Sequence, residues 1–244
     1  MYDTAMAHPS ENVVAFLRTC GVDFARSPLE VMGRLWADLV AANEVVNLTR
    51  ITSEAGFWVL HVADSVAVGQ ALPALLGEPL AVADVGCGAG LPLLPLAWAS
   101  PALRLTGFES RGRKAAFVAA EAEALGLANA AVVARRAREA SRLEAHAGRY
   151  DVVLARAVGP AGKLVRECRG LLKPEPGAVL VHYKTPQAIE AERPLAEREA
   201  AKHGFAVQPS DVFDLPDGGG PRQFLLMRRL GSGGCVVNRL TTSW

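Results

Sequence analysis

Cysteine is sparse and never paired in this chain. Cys20, Cys87, Cys168 and Cys235 contain no C-x-x-C spacing, which excludes a zinc framework and a disulfide-stapled scaffold. They read as reduced, mostly buried small apolar residues of a cytoplasmic protein. No second His or Cys lies at ligand spacing from His61, so no metal is expected. Long apolar runs are missing as well. The richest, Leu91 to Ala99, is interrupted by Pro92 and Pro95, so no membrane span is expected. The first residues carry no basic segment ahead of a hydrophobic core, and no secretory signal is expected.

Half of the 244 residues are apolar, enough for a continuous core around a buried sheet. The expected organisation is an N-terminal helical cap over 1–75, part of the same domain as a core over 76–230, followed by a disordered Gly-Ser-Gly-Gly-led tail over 231–244. Helical periodicity covers Ser10 to Cys20 and Pro28 to Val46. Ser53 can cap a further helix carrying Phe57, Leu60, Asp64 and Val68 on one stripe. His61 and Asp64 share a face there, and a local hydrogen-bonded pair is expected.

Beyond residue 80 the pattern alternates. Short runs rich in Val, Leu and Ala (Leu80 to Val85, Leu103 to Phe108, Ala130 to Val133, Val152 to Ala155, Ala178 to Tyr183) predict strands. Arg111 to Leu125, Glu139 to His146, Gly162 to Leu172 and Pro186 to His203 predict helices between them. Such alternation means a parallel sheet with right-handed crossovers. Phe205 to Leu215 and Gln223 to Leu230, joined by Pro216-Asp217-Gly218-Gly219-Gly220 without a helix, predict a terminal β-hairpin and hence an antiparallel member.

The segment Ala81 to Ser110 carries the chemistry. An apolar run ends at Asp84, Gly86, Gly88 and Gly90 alternate, and a second apolar run closes on Glu109. Glycine lets a backbone approach a ligand where a Cβ would collide. An acid roughly 20 residues past such a loop comes to a ribose on the neighbouring parallel strand. A dinucleotide fingerprint wants a small residue at the sixth position counted from its first glycine, and Leu91 stands there. The pattern D-x-G-x-G-x-G instead resembles motif I of Rossmann-like methyltransferases that bind S-adenosylmethionine.

Further motifs follow in one order. They are Asn47-Leu48-Thr49-Arg50-Ile51, His61-x-x-Asp64-Ser65, Asp84 through Pro92, Glu109-Ser110 with Lys114 and Phe117, and Arg156-Ala157. Together they resemble the bacterial 16S rRNA guanine-N7 methyltransferase G family, also called glucose-inhibited division protein B, over about Asn43 to Arg229. The resemblance implies a class I S-adenosylmethionine-dependent methyltransferase fold of α/β type, with N-terminal helices and a C-terminal antiparallel hairpin. It implies a cofactor site at Gly86, Gly88, Leu91, Glu109, Ala137, Arg138 and Arg156, and 16S rRNA or a small-subunit assembly particle as partner. Three positions depart from the family's usual residues: Leu93 replaces a glycine, Arg138 an acid, and Thr185 the glycine after Lys184.

Charge is distributed as an RNA binder requires, although the net is only +1. Residues 104–173 hold fourteen Lys/Arg against seven Asp/Glu, whereas residues 1–103 hold four against ten. Arg111, Arg113, Lys114, Arg135, Arg136, Arg138 and Arg142 would attract phosphates and release counterions. Arg111, Arg113, Lys114 and Lys184 are the candidate RNA contacts, and a monomer is expected.

The turn after the fourth strand, Ala155-Arg156-Ala157-Val158-Gly159-Pro160, lacks the Asn/Asp-Pro-Pro-aromatic sequence that orients exocyclic amines. No lysine–carboxylate set for ribose transfer is evident, and Cys168 sits too far into the next helix to attack a pyrimidine. N7 of guanine needs none of these, because it carries a free lone pair and no proton. No catalytic general base is therefore expected. Two other readings stay open: a nicotinamide-dependent oxidoreductase, disfavoured by Leu91 and the hairpin, and a non-catalytic RNA-binding protein on a methyltransferase fold.

Overall fold

Seven strands form the main path of the sheet in the computed structural model, which describes residues 8–231 and 234. They are β1 (Ala81–Val85), β2 (Arg104–Phe108), β3 (Ala130–Val133), β4 (Val152–Arg156), β5 (Val179–Lys184), β6 (Phe205–Pro209) and β8 (Gly220–Arg229), with the short β7 (Phe213–Leu215) paired to β8. The order is β3-β2-β1-β4-β5-β8-β6. The first five strands are mutually parallel, and β8 runs antiparallel between β5 and β6. Reversal of strand order between β1 and β4 opens a crevice at their C-terminal ends, where open α/β sheets bind ligands.

Alternation within the strands divides the core into two layers. Val82, Leu154, Val181 and Leu226 face one way, against α1 (Glu11–Thr19), α2 (Leu29–Val46), α3 (Glu54–Phe57), α4 (Asp64–Val66), α5 (Val68–Ala71), α6 (Leu93–Ala99) and α7 (Gly112–Ala124). Ala83, Val153, Leu180 and Met227 face α8 (Ala137–Ala140), α9 (Ala161–Cys168) and α10 (Pro186–Ala201). Val13, Leu17, Met32 and Leu35 of the N-terminal helices share one core with Leu93 and Leu96. Among the described residues no helix is long and apolar enough to cross a membrane. The tail expected over 231–244 lies outside the described residues apart from Gly231 and Gly234.

The five parallel strands fall within a residue or so of their predicted bounds; the helix expected over Gly162 to Leu172 ends at Cys168, the strand expected from Gln223 begins at Gly220, and three further elements differ more. The helix expected over Glu139 to His146 is only Ala137–Ala140. Past it, Arg142, Leu143 and His146 bond three residues back, and Leu143 is exposed, so no apolar face holds a longer helix down. The expected long strand Phe205 to Leu215 is broken after Pro209, which cannot donate to a ladder. Ser210 fills the gap, its hydroxyl accepting from the Phe224 N–H at 2.9 Å. Finally, the helix after Ser53 contains a π-helical turn, Trp58–Ala63. That extra residue rotates His61 and Asp64 away from simple α spacing.

Candidate functional site

The glycine turn lies at the strand-order reversal. Gly86 and Gly88 hold φ of +69° and +56°, a region that side chains disfavour. Space is equally restrictive, because a Cβ on Gly86 would collide with Cγ1 of Val158 in the β4–α9 turn. Glu109, at the tip of β2, reaches back across this turn. Its Oε2 accepts from the Gly88 N–H at 3.1 Å and its Oε1 from the Arg111 N–H at 2.8 Å. An ionised carboxylate offers about four acceptor positions, so two remain for ribose hydroxyls.

Asp84 lies beneath the turn and is buried. Its Oδ2 accepts from the Leu93 N–H at 3.1 Å, while its Oδ1 is enclosed without a partner among the described residues. Burial pushes the Asp84 carboxyl up to about 7, opposed by the Arg156 charge and the Leu93 N–H and assisted by Glu109. A cationic ligand in the crevice would supply the missing stabilisation. The orphaned oxygen and the narrow glycine cradle therefore fit S-adenosylmethionine, whose sulfonium and amino groups are positive. Leu91 is buried and closes the turn through its N–H bond to the Cys87 carbonyl. Ala137 is buried at the start of α8, and Arg138 beside it is exposed.

A second cleft of about 530 Å³ opens next to the crevice, between Ile51, Leu60, Tyr183 and Lys184. Four distant motifs meet at its wall. Arg156 Nη1 donates to Asp64 Oδ2 at 2.8 Å and to the Leu60 carbonyl at 3.2 Å. Its Nη2 lies 3.2 Å from His61 Nδ1. Arg222 Nε donates to the other Asp64 oxygen at 2.9 Å. His61 Nε2 in turn lies 2.9 Å from the Thr49 hydroxyl. Desolvation, reinforced by the Arg156 charge, lowers the His61 imidazole to about 4. His61 and Asp64 are thus not bonded to each other, as their spacing suggested. Each bonds Arg156, because the π-helical turn and the tip of β4 bring all three together.

Arg156, expected at the cofactor, lines the second cleft with its guanidinium bound to Asp64, and its charge also acts on Asp84 beneath the glycine turn. Lys184, expected on RNA, lines the second cleft and is tied to Glu192 at 2.6 Å. Arg222 was not anticipated at all. It follows the Gly-rich turn as a lone basic residue, and its partner is 158 positions away, so only the fold reveals it. Cys168 is buried in the core with its thiol pushed up to about 12 by burial, which removes it as a nucleophile. Among the described residues no cluster of three metal-binding side chains occurs.

The basic residues gather beside the crevice. Arg111 and Arg113 flank the start of α7, Arg135 and Arg136 lie on the β3–α8 connection, and Arg138 is in the first turn of α8. Both connections leave the C-terminal edge of the sheet, where the glycine turn lies. All five are exposed, as is Arg142, while Lys114 is half-buried. None of the seven takes part in an ion pair among the described residues.

Sheet order, antiparallel β8, glycine turn and carboxylate tip together define a class I, S-adenosylmethionine-dependent methyltransferase fold. Solved structures with this fold agree: an O-methyltransferase from Thermotoga maritima superposes with TM-score 0.54 at 14% identity, covering 79% of this chain and 72% of that one. Aeropyrum pernix fibrillarin, with bound S-adenosyl-L-methionine, gives TM-score 0.51 at 15% identity, covering 68% and 73%. The particular family is set by sequence. Residues 29–214 match the family described as rRNA small subunit methyltransferase G, and the chain belongs to it. Relatives called ribosomal RNA small subunit methyltransferase G include one from Sorangium cellulosum, 37% identical over 78% of this chain and 76% of its own length. Another, from Levilactobacillus brevis, is 32% identical over 90% of both.

Proposed function

We propose that this chain transfers a methyl group from S-adenosylmethionine to N7 of a guanine in small-subunit ribosomal RNA. The observation that carries the choice of acceptor atom is the grip of Arg156 and Arg222 on Asp64. Asp64 is the one carboxylate lining the second cleft and both guanidinium groups hold it, while His61 behind it is held by Arg156. Lys184 is likewise held by Glu192. Transfer to N7 needs no proton removed, so a wall of engaged groups suits it.

When bound, S-adenosylmethionine supplies an electrophilic methyl carbon on its sulfonium. Gly86 and Gly88 admit the nucleoside close to the backbone, Glu109 takes the ribose hydroxyls, and Asp84 balances the positive end. Ala137 and Arg138 would contact the adenine. Arg156 and Arg222 fix Asp64 and so the shape of the acceptor cleft, with Tyr183 and Leu60 offering apolar faces to a base. Holding two reactants in line this way can supply roughly 7–11 kcal/mol of a transfer barrier. The Arg111, Arg113 and Lys114 cluster would hold the RNA backbone beside the crevice. In this reading the helices of 1–75 form one unit with the core of 76–230, and the protein acts as a single chain in the cytoplasm. Mapping methylated nucleotides in 16S rRNA after incubation with the protein tests it; modification of a ribose or an exocyclic amine would refute it.

A further inference from the structure

Arg228 lies near the far end of β8, beside Val179 at the start of β5 and Ala206 of β6. That is the edge of the sheet opposite the glycine turn. The side chain is only 2% exposed, yet it makes no ion pair among the described residues, and its Nε and Nη1 are enclosed without acceptors. An arginine cannot discharge itself by losing its proton in the neutral range. Buried unpaired cations are rare because removal from water is strongly unfavourable. Beside this guanidinium is a cavity of about 380 Å³, bounded by Gln70 of α5, Gln208 and the Ser210–Phe213 segment. Gln70, Gln208 and Ser210 add hydrogen-bonding groups to its wall, and Phe213 gives it an apolar side.

We propose that this cavity is a binding site for a small-molecule oxyanion, a phosphate or carboxylate group that pairs with Arg228. The volume falls in the range of small-ligand pockets. A guanidinium on the cavity wall can donate a charge-assisted hydrogen bond to either group. A phosphodiester within an RNA strand is disfavoured, because flanking sugars would keep it from an arginine this enclosed. The site is separate from the methyl-transfer crevice and stands whether or not the proposed acceptor is right. Asp211 also lines the cavity, from an exposed position, and its charge opposes an anion.

The probes are inorganic phosphate and malonate, added to the full chain at constant ionic strength and followed by thermal melting and calorimetry. Wild type should show a saturable rise in Tm with at least one of them, and the one that acts names the group. Arg228→Met, which keeps bulk and removes charge, should melt at or above wild type without anions and show no saturable rise. Asp211→Asn should bind the active probe several-fold more tightly. Equal rises in wild type and Arg228→Met, or no saturable rise with either probe, would overturn the site. So would a fall in Tm of Asp211→Asn without anions, because Asp211 would then be the internal partner of Arg228.

Discussion

Arg156 and Asp64 are held 2.8 Å apart although 92 residues separate them, and Asp64 is gripped on its other oxygen by Arg222. Both oxygens of this carboxylate are thus directed at guanidinium groups. His61, held near 4 by desolvation and the same Arg156, stays neutral through the neutral range and already accepts from Arg156. The single-turnover rate at saturating cofactor should therefore be nearly flat from about pH 6 to 9, the range in which a titrating His or Cys base would show itself. A sigmoid with a midpoint in that range would mean that a general base is at work.

Cofactor binding should depend on the glycine turn and on Glu109. Gly86→Val forces a side chain onto Val158 and into a left-handed backbone conformation, and should abolish S-adenosylmethionine binding in calorimetry. Glu109→Ala should weaken binding by about 1.5–3 kcal/mol, the value of hydrogen bonds to a charged group. Unchanged affinity in both variants would remove the crevice as the cofactor site.

Asp84 gives binding a pH dependence of known sign. Its carboxyl is raised to about 7 in the free protein, chiefly by burial. A bound cation favours the ionised form, so binding below that value releases a proton. Affinity should then increase as pH rises from about 5.5 to 7, by at most about tenfold per unit, and level off above. Asp84→Asn should bind weakly and without this slope. The same slope in the variant would assign it to another group.

Exposed arginines without ion pairs should make RNA association salt-dependent. Replacing Arg111, Arg113 and Lys114 by Gln should flatten the slope of log K against log salt, leaving cofactor affinity intact. A slope untouched by the triple change would place the RNA elsewhere.

The sequence exposed whatever is local. Apolar runs located the parallel strands, because β1, β4 and β5 are almost wholly buried and β2 largely so, and the glycine turn with Glu109 appeared because neighbouring strands fix their spacing. The Arg156–Asp64–Arg222 cluster stayed hidden, because it needs three elements to converge and a π-helical turn to re-aim Asp64. The short α8 was over-read from a helical pattern that Leu143 does not bury. The break after Pro209 could have been taken from the proline itself. Arg228 carries no sequence signal, since its burial without an acceptor exists only in the folded sheet.

The acceptor atom is the centre of the account, and one substrate change addresses it alone. Substituting 7-deazaguanine for the target guanine replaces N7 by a C–H and leaves the other base edges in place. The account predicts that rRNA carrying it binds as before, with the same salt dependence, and receives no methyl group in single turnovers. Transfer to that RNA at the rate of the unmodified substrate would contradict it.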